Sequence, residues 1–428
     1  MSGVVIFALL TLLLLTGMPI SIALGMTVLV FLFALTHVPL EAVAMKLFTG
    51  IEKFEIMAIP FFILAGNFLT HGGVAQRLIR LATALVGHFH GGLGIASVIA
   101  CALFAAISGS SPATVVAIGT ILLPAMSKAG FPWQFGAGTI ATAGALGILI
   151  PPSIVLVMYA VSTNSSVGTL FMAGIVPGVV LAFMLALTTW YQAKKNNYPC
   201  QPKASLREIR TAFQQSIWGL SLIFLVLGGI YSGAFTPTEA AAVSAVYAFV
   251  VAVVIYRDLP LRKVPQVLLA SANMSAMLLY IITNAMLFSF LLTHENIPQQ
   301  MALWMLQQGL NAVSFLLIVN LILLLAGDFM EPSSIVLIMA PILFPIATRL
   351  GIDPIHFGIL ITVNMEVGMV TPPVGLNLYV MSGLTERGLT DVTLASLPWM
   401  ATMLLFLTLV TYWPPLTLWL PRMLGMMP

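Results

Sequence analysis

The stretch ISGSSPATVVAIGTILLP, residues 107–124, decides the fold because it places polar, helix-breaking residues inside an otherwise apolar segment. That segment, residues 92–127, is too long for one membrane crossing and is interrupted at its centre by Ser-Gly-Ser-Ser-Pro, residues 108–112. Within a membrane, irregular backbone is tolerated only where protein or a water-filled cavity satisfies its polar groups. We therefore predict a re-entrant helical hairpin whose tip faces a binding site.

The composition indicates a membrane protein. Of the 428 residues 60% are hydrophobic and 7% are charged, whereas soluble domains carry about 25% charged residues. Long apolar runs recur along the whole chain, which favours membrane helices over the short alternating segments of a β-barrel. We predict an all-α polytopic protein with spans near 4–35, 54–71, 132–162, 167–193, 212–231, 236–256, 267–293, 354–384 and 391–420.

Several functional classes are disfavoured. Cys101 and Cys200 have no metal-binding spacing, and His88 and His90 have no third ligand nearby. No basic cluster with interleaved aromatic residues points to nucleic acid. The first apolar run is too long for a signal peptide and lacks a basic start, so we expect it to stay in the membrane. The basic loops around 194–210 and 257–263 are expected to be cytoplasmic.

The two halves of the chain match when the sequence is shifted by 221 residues. GILIPPS at 147–153 falls on GMVTPPV at 368–374, and ILLPAMSKAG at 121–130 falls on ILFPIATRLG at 342–351. A second broken segment, 312–348, matches the first. Counting crossings from the basic loops makes the halves inverted, and inverted repeats with interrupted helices indicate a secondary transporter. We expect a first repeat at 54–193, linking and scaffold helices at 194–266, and a second repeat at 267–420.

The hairpin tips and the Pro-Pro pairs predict where ligands bind. Gly-Asp-Phe-Met-Glu-Pro-Ser-Ser, residues 327–334, is the counterpart of the first tip, so two helix N-termini are expected to converge on an anionic substrate. Pro151-Pro152 frees carbonyls near Gly147 and Ile150, and Pro372-Pro373 does the same near Gly368 and Thr371. These carbonyls, with the hydroxyls of Ser153 and Thr371, are candidate sodium ligands.

Each of these residues has a plainer explanation. Serine runs often only allow close helix packing, and a Pro-Pro pair can be a simple kink. Glu331 either orients substrate or caps the helix that follows it. Glu366 is a functional candidate because carboxylates inside a membrane are costly, but it could pair within the bundle, and Asn364 could also serve packing. Glu239 is expected to support a helix start capped by Thr236 or Thr238.

At these residues the sequence resembles the large membrane subunit of tripartite ATP-independent periplasmic (TRAP) transporters, over essentially the whole chain. The resemblance rests on AIPFFILAGNFLTHGGVA, ISGSSPATVVAIG, GALGILIPPSIV, GAFTPTEAAA, FMEPSSIVLIMAPILFP and GIDPIHFGILITVNMEVGMVTPPVGLNLYV. SANMSAMLLYIITNAMLFSF and NMEVGMVTPPVGLNLYV are most similar to the C4-dicarboxylate branch. The sialic acid branch often has Asp where this chain has Glu331, which leans toward dicarboxylates.

The resemblance implies an elevator mechanism in the bacterial inner membrane, coupled to sodium and needing neither ATP nor a cofactor. It implies two partners, a small membrane subunit of about four helices and a periplasmic binding protein that delivers an organic acid. Without them we expect the chain to be inactive. The resemblance places sodium at Ser108, Gly147, Ile150 and Ser153, and at Gly327, Gly368, Thr371 and Val374. It places substrate near Ser110, Ser111, Glu331, Ser333, Ser334 and Asn364.

Three alternatives stay open at the level of sequence. The same mechanism could carry sialic acid or another organic acid. An intramembrane serine hydrolase would need a base beside Ser110 or Ser111, but all six histidines fall near predicted span ends. A channel is disfavoured because the hairpins are unequal and no ring of identical filter residues is present.

Overall fold

The computed structural model describes residues 2–35, 39–50, 52–307, 311–328 and 330–427. These residues form α-helices with a few short 3-10 and π turns and no strand, which confirms the all-α prediction. The α-helices are, in chain order, α1 Ser2–Leu15, α2 Ile20–Leu35, α3 Leu40–Thr49, α4 Ala58–His71, α5 Val74–Val86, α6 Gly92–Ser108, α7 Ser111–Lys128, α8 Trp133–Ala143, α9 Ile154–Thr163, α10 Val167–Lys195, α11 Leu206–Tyr231, α12 Pro237–Phe249, α13 Val264–His294, α14 Ile297–Gln307, α15 Ala312–Gly327, α16 Pro332–Arg349, α17 Pro354–Gly368, α18 Leu376–Thr385, α19 Leu389–Tyr412 and α20 Pro415–Met423.

Eight helical segments among the described residues are long and apolar enough to cross a membrane. They are Phe54–His71, Ser111–Lys128, Val167–Lys195, Leu206–Tyr231, Pro237–Ile255, Leu261–His294, Pro332–Arg349 and Leu389–Tyr412. Shorter apolar helices, α6 and α15 among them, add to the apolar interior. Length and composition therefore confirm a polytopic membrane protein.

Two predicted spans are wrong because proline and glycine end helices inside them. The span at 4–35 is two helices, α1 and α2, separated by Gly17 with φ 79° and by Pro19. The span at 391–420 ends at Tyr412, and α20 begins anew after Pro414. Proline lacks the N–H that helix continuation needs, so apolar length alone overestimated both spans.

Helices α11 and α12 begin with capping boxes. The Ser205 hydroxyl accepts from the Glu208 N–H at 3.2 Å, and the Glu208 carboxylate accepts from the Ser205 N–H at 2.7 Å. This starts α11 at Leu206, ahead of the predicted 212. Thr236 and Glu239 form the same reciprocal pair before α12, which confirms that Glu239 supports a helix start.

The breaks and contacts of the helices follow the repeat. A two-residue gap separates α6 from α7, and α8 and α17 each end before a Pro-Pro pair. Helix α7 packs on α18, and α16, its counterpart in the second repeat, packs on α9. In the same way α8 packs on α19, and its counterpart α17 packs on α10. Such exchanged contacts are what two interlocked, symmetry-related units produce. Helix α17 is buried along its whole length, so the broken helices lie at the centre.

Candidate substrate and ion site

The first hairpin turns within two residues. Helix α6 ends at Ser108, and Gly109 takes a left-handed conformation with φ 61° whose N–H donates to the Ala105 carbonyl. Ser110 is extended, and Ser111 and Pro112 open α7. A glycine is favoured at Gly109 because other residues are strained at positive φ, and its added Cβ would lie 2.8 Å from the Pro152 carbonyl oxygen. The tip therefore rests on the first Pro-Pro loop.

The second hairpin tip differs because its helix is capped by an acidic side chain. The Glu331 carboxylate accepts from the Ser334 N–H at 3.3 Å and from the Ser333 hydroxyl at 2.6 Å. The plainer of the two explanations for Glu331 is thus confirmed, although the residue also lines the cavity described below. Phe329, which belongs to the predicted tip, lies outside the described residues.

The two helix N-termini that we expected to serve one anion are not equivalent. The start of α16 already holds a carboxylate, which offsets its positive end. At α7 the Ser110 hydroxyl caps no N–H of the first turn. The difference depends on one residue, Glu331, for which the sequence left capping and substrate binding open. An anion is therefore expected to approach α7.

A cavity of about 140 Å³ lies between the tips. Its polar wall comes from both hairpins and contains four of the predicted substrate residues, Ser110, Ser111, Glu331 and Ser333. Its apolar wall comes from α9, α13, the start of α18 and the two broken-helix loops: Ile148, Ile154, Val155, Met274, Met277, Leu278, Met369 and Leu376. A small space with hydroxyls on one side and methionines on the other suits a short organic acid.

Ser334 and Asn364 are not among the residues that line this cavity. Ser334 is buried at the start of α16. The Asn364 amide donates to the Asn320 side-chain oxygen at 2.8 Å and to the Leu360 carbonyl at 3.0 Å, and Asn320 donates to the Thr411 hydroxyl. Asn364 thus belongs to a polar chain from α17 through α15 to α19, and its substrate role stays a prediction.

The first Pro-Pro loop lies against the first hairpin tip. A Cβ on Gly147 would lie 2.6 Å from the Ser110 carbonyl oxygen, so these backbones touch. Ser153 caps α9 by accepting from the Leu156 N–H at 3.4 Å, and its hydroxyl donates to the Ile148 carbonyl. The Ser108 hydroxyl is 3.0 Å from the Thr114 hydroxyl. The predicted ligands Ser108, Gly147 and Ser153 are therefore brought to one region, with Ile150 in the same loop.

The second Pro-Pro loop repeats this arrangement at the second tip. A Cβ on Gly368 would lie 2.8 Å from the Cα of Gly327. The Val374 N–H donates to the carbonyl of Asp328 at 3.1 Å, and the Thr371 hydroxyl donates to the Val367 carbonyl at 2.7 Å. The four predicted ligands thus cluster at one hairpin tip. Both Pro-Pro bonds, 151–152 and 372–373, are cis.

The oxygen atoms in these two regions suit a hard cation. The predicted ligands supply backbone carbonyls and hydroxyls, and the Asp328 carboxylate, which has one buried oxygen without a partner, lies at the second tip. The residues that the structure describes contain no group of three His, Cys, Asp or Glu side chains able to hold a metal. Oxygen donors without nitrogen or sulfur disfavour transition metals. Both regions therefore fit the sodium that the sequence predicts.

Sequence reasoning missed Asn377, which joins the two repeats. Its side chain bonds the Ser111 hydroxyl and donates to the Ala141 carbonyl at 2.9 Å, and it is fully buried. It therefore ties α18 of the second repeat to the first hairpin tip. The available signal was an amide inside the apolar run LNLYV immediately after the second Pro-Pro loop. Met274 and Met277, one helical turn apart on α13, were also missed.

Two interlocked hairpin units around one cavity are the architecture of a repeat-built secondary transporter. The chain belongs to the family described as "Tripartite ATP-independent periplasmic transporter, DctM component", which matches residues 7–416. It is therefore a multi-pass inner-membrane permease subunit and not an enzyme, which removes the hydrolase alternative.

Relatives span the full length of the chain. It is 68% identical to the C4-dicarboxylate TRAP transporter large permease protein DctM of Rhodobacter capsulatus, with 100% of both chains covered. It is 55% identical to the protein of that name from Pseudomonas aeruginosa, covering 90% of each. It is 35% identical to the sialic acid TRAP transporter large permease protein SiaM of Vibrio cholerae, covering 96% of each.

A solved structure shares the fold. The YdaH transporter of Alcanivorax borkumensis, whose crystal structure is described as having an unusual topology, aligns with a TM-score of 0.63 over 88% of this chain and 90% of that one. At 18% identity the likeness concerns the fold alone.

Proposed function

We propose that the chain is the large subunit of a sodium-coupled importer of C4-dicarboxylates such as succinate, malate and fumarate. The observation that carries the proposal is the small cavity between the two hairpin tips, flanked by two Pro-Pro loops. The 68% identity to a full-length C4-dicarboxylate permease supports the choice of substrate class.

The chemistry of the cavity accounts for the need for sodium. A dicarboxylate brings two negative charges, and the cavity wall adds the Glu331 carboxylate. None of the lining residues carries a positive charge. The α7 N-terminus and the Ser110 hydroxyl offer neutral donors, which orient an anion without neutralising it. The Ser111 and Ser333 hydroxyls already donate to Asn377 and Glu331 and contribute polar oxygens to the wall. Two sodium ions beside the tips would supply the missing positive charge, so substrate binds well only after sodium.

The proposal includes two protein partners and the surrounding lipid. A small membrane subunit of about four helices would complete the scaffold, and a periplasmic binding protein would deliver the substrate. The TRAP family is tripartite by its description, which supports both. No ATP is consumed, since the sodium gradient drives uptake.

We assign the movement to an elevator step. The hairpins and broken helices pack across the repeats, while α12 and α13 both pack on α4. Helix α13 supplies Met274 and Met277 to the cavity wall, and α4 meets the first tip at Gly66, whose added Cβ would lie 3.0 Å from the Ser108 carbonyl oxygen. Helix α13 would be the fixed wall past which both tips slide.

Reconstitution tests the proposal. The chain and its small subunit are placed in proteoliposomes, the cognate binding protein is added outside, and labelled succinate uptake is followed with an inward sodium gradient. We expect uptake only when all three proteins and sodium are present, with competition by malate and fumarate but not by sialic acid. Competition by sialic acid, but not by malate or fumarate, would show that the substrate is sialic acid and not a C4-dicarboxylate. Uptake by this chain without partners would contradict the tripartite assembly.

A further inference from the structure

Glu366 is a fully buried carboxylate to which the mechanism so far gives no role. Its exposed fraction is 0%, and neither side-chain oxygen has a hydrogen-bond partner. It lies on α17, two residues before Gly368. An isolated carboxylate in such surroundings is strongly unfavourable unless a positive charge is close to it.

No basic side chain in the described part of the chain meets that need. Helix α17 packs against α9, α10, α15, α16, α19, α20 and the 3-10 turn Gly144–Ile148. His356 lies ten residues earlier on α17, about 15 Å along the axis. The basic residues of the packed helices lie at or near their C-terminal ends: Lys194, Lys195, Arg349 and Arg422.

Those helix ends lie away from Glu366. Arg349 ends α16 a few residues before α17 begins, and α20 meets that same end of α17, where His356 contacts Thr417 at 2.9 Å. Leu170, at the start of α10, packs on Gly358, so Lys194 lies more than twenty helical residues beyond. The titratable groups of the packed elements near the Gly368 end are acidic, namely Asp328 and Glu331 at the second tip. Tyr159 and Asp353 lie at the opposite end of α17, and Tyr191, Asp391 and Tyr412 belong to α10 and α19.

The helix geometry turns Glu366 toward the first repeat. Two residues of α17 face α15: Asn364 bonds Asn320, and Gly368 lies against Gly327. At about 100° per residue, Glu366 points roughly 200° away from Asn364 and so away from α15. Gly358, whose direction lies about 80° from that of Glu366, meets Tyr159 of α9 and Leu170 of α10. Helix α17 also packs on the Gly144–Ile148 turn that leads into the first Pro-Pro loop. The residue equivalent to Glu366 under the 221-residue shift is Ala145, within that turn.

We propose that Glu366 is the fixed negative charge shared by the two sodium regions, a positioning residue that acts through the ions. This inference rests on the sodium coupling proposed above. The predicted ligands are carbonyls and hydroxyls, which bring no net charge, and the first repeat has only Ala145 in the equivalent place. A carboxylate that lies two residues from Gly368, on a helix that also packs on the Gly144–Ile148 turn, favours both ions in a low-dielectric interior. In return the ions supply the positive charge that Glu366 otherwise lacks.

The test compares Glu366→Gln with the wild type in purified complex of this chain with its small subunit. Sodium is titrated while the melting temperature is recorded, so the readout does not depend on transport. We expect Glu366→Gln to need on the order of tenfold more sodium for half-maximal stabilisation. Without sodium the variant should be at least as stable as the wild type, because an uncompensated buried charge has been removed. Glu366→Asp should restore most of the sodium affinity.

Thr362→Val is the matched control, since Thr362 is equally buried one turn earlier on α17 and its hydroxyl bonds only its own helix, at Gly358. We expect its sodium titration to match that of the wild type. In reconstituted uptake, Glu366→Gln should raise the sodium concentration that gives half-maximal uptake. When sodium is saturating, the succinate concentration that gives half-maximal uptake should be the same as in the wild type. If the wild type responds to sodium and Glu366→Gln responds equally, this inference alone is overturned. If the wild type shows no sodium response, sodium coupling and the inference fail together.

Discussion

The close approach of Gly147 to the first hairpin tip makes Gly147→Ala the most informative steric change. The added Cβ would lie 2.6 Å from the Ser110 carbonyl oxygen, 2.7 Å from the Ser110 carbonyl carbon and 2.8 Å from the Ser111 Cα. All three are backbone atoms, so no side chain can rotate away. Since ordinary contact begins at 3.4 Å, the tip must retreat by 3.4 − 2.6 = 0.8 Å at the nearest atom.

That retreat disturbs both the predicted ion region and the cavity wall at Ser110. Overpacking of this kind costs about 1–3 kcal/mol. If half of that cost falls on the substrate-bound state, uptake falls about twofold to tenfold, because 1.4 kcal/mol is a factor of ten. We therefore expect Gly147→Ala to need more sodium and to transport about twofold to tenfold more slowly than the wild type.

Sodium-driven succinate uptake in proteoliposomes measures the effect, with the melting temperature of the purified protein recorded in parallel. Gly383→Ala is the matched control: Gly383 lies in helix α18, and nothing is within 4 Å of its added Cβ. Alanine there is expected to stabilise the protein by about 0.5–1 kcal/mol and to leave transport unchanged. Wild-type uptake and sodium dependence in Gly147→Ala would refute the tip contact that the structure shows.

Three further substitutions probe other contacts. Asn377→Leu should cost about 1–3 kcal/mol by leaving the buried Ser111 hydroxyl and Ala141 carbonyl unpaired, measured by thermal unfolding; a loss no larger than that of Ser111→Ala would contradict this role. Glu331→Ala removes the α16 cap and should lower the unfolding free energy by about 0.5–2 kcal/mol, whereas Glu331→Gln should lower it much less. An equal loss in both variants would argue against capping. Thr236→Ala should lower the unfolding free energy by about 1 kcal/mol without changing the sodium half-saturation of uptake, and a shifted sodium response would show that this cap is coupled to the site.

Much of the architecture could be read from the sequence because it depends on local signals. The SGSSP and GDFMEPSS stretches predicted the helix breaks, and the structure ends α6 at Ser108 and α15 at Gly327. The capping box at Thr236 was also predictable, since it needs only residues three apart. The spans at 4–35 and 391–420 failed where hydropathy outweighed Pro19 and Pro414.

Contacts between distant segments could not be predicted in the same way. The bond between Asn377 and Ser111 joins residues 266 positions apart. The resemblance placed Asn364 near the substrate, and a packing role was left open beside it. The bond from its amide to Asn320 could not be predicted, because no periodicity reveals the position of Asn320. The choice between the two roles considered for Glu331 also depends on where its carboxylate turns, which the sequence does not show. Composition and spacing identify polar residues in a membrane but not their partners.

The most direct measurement is hydrogen–deuterium exchange of the purified complex with and without sodium, followed at the two hairpin tips and the two Pro-Pro loops. Ions that bind the native state slow local opening around them. If each repeat builds one cation region, sodium should slow exchange at 107–114 with 147–157 and, separately, at 327–336 with 368–378. Potassium at equal concentration should have no such effect. Protection at one repeat only, or none at either, would contradict two sodium regions flanking one anion cavity.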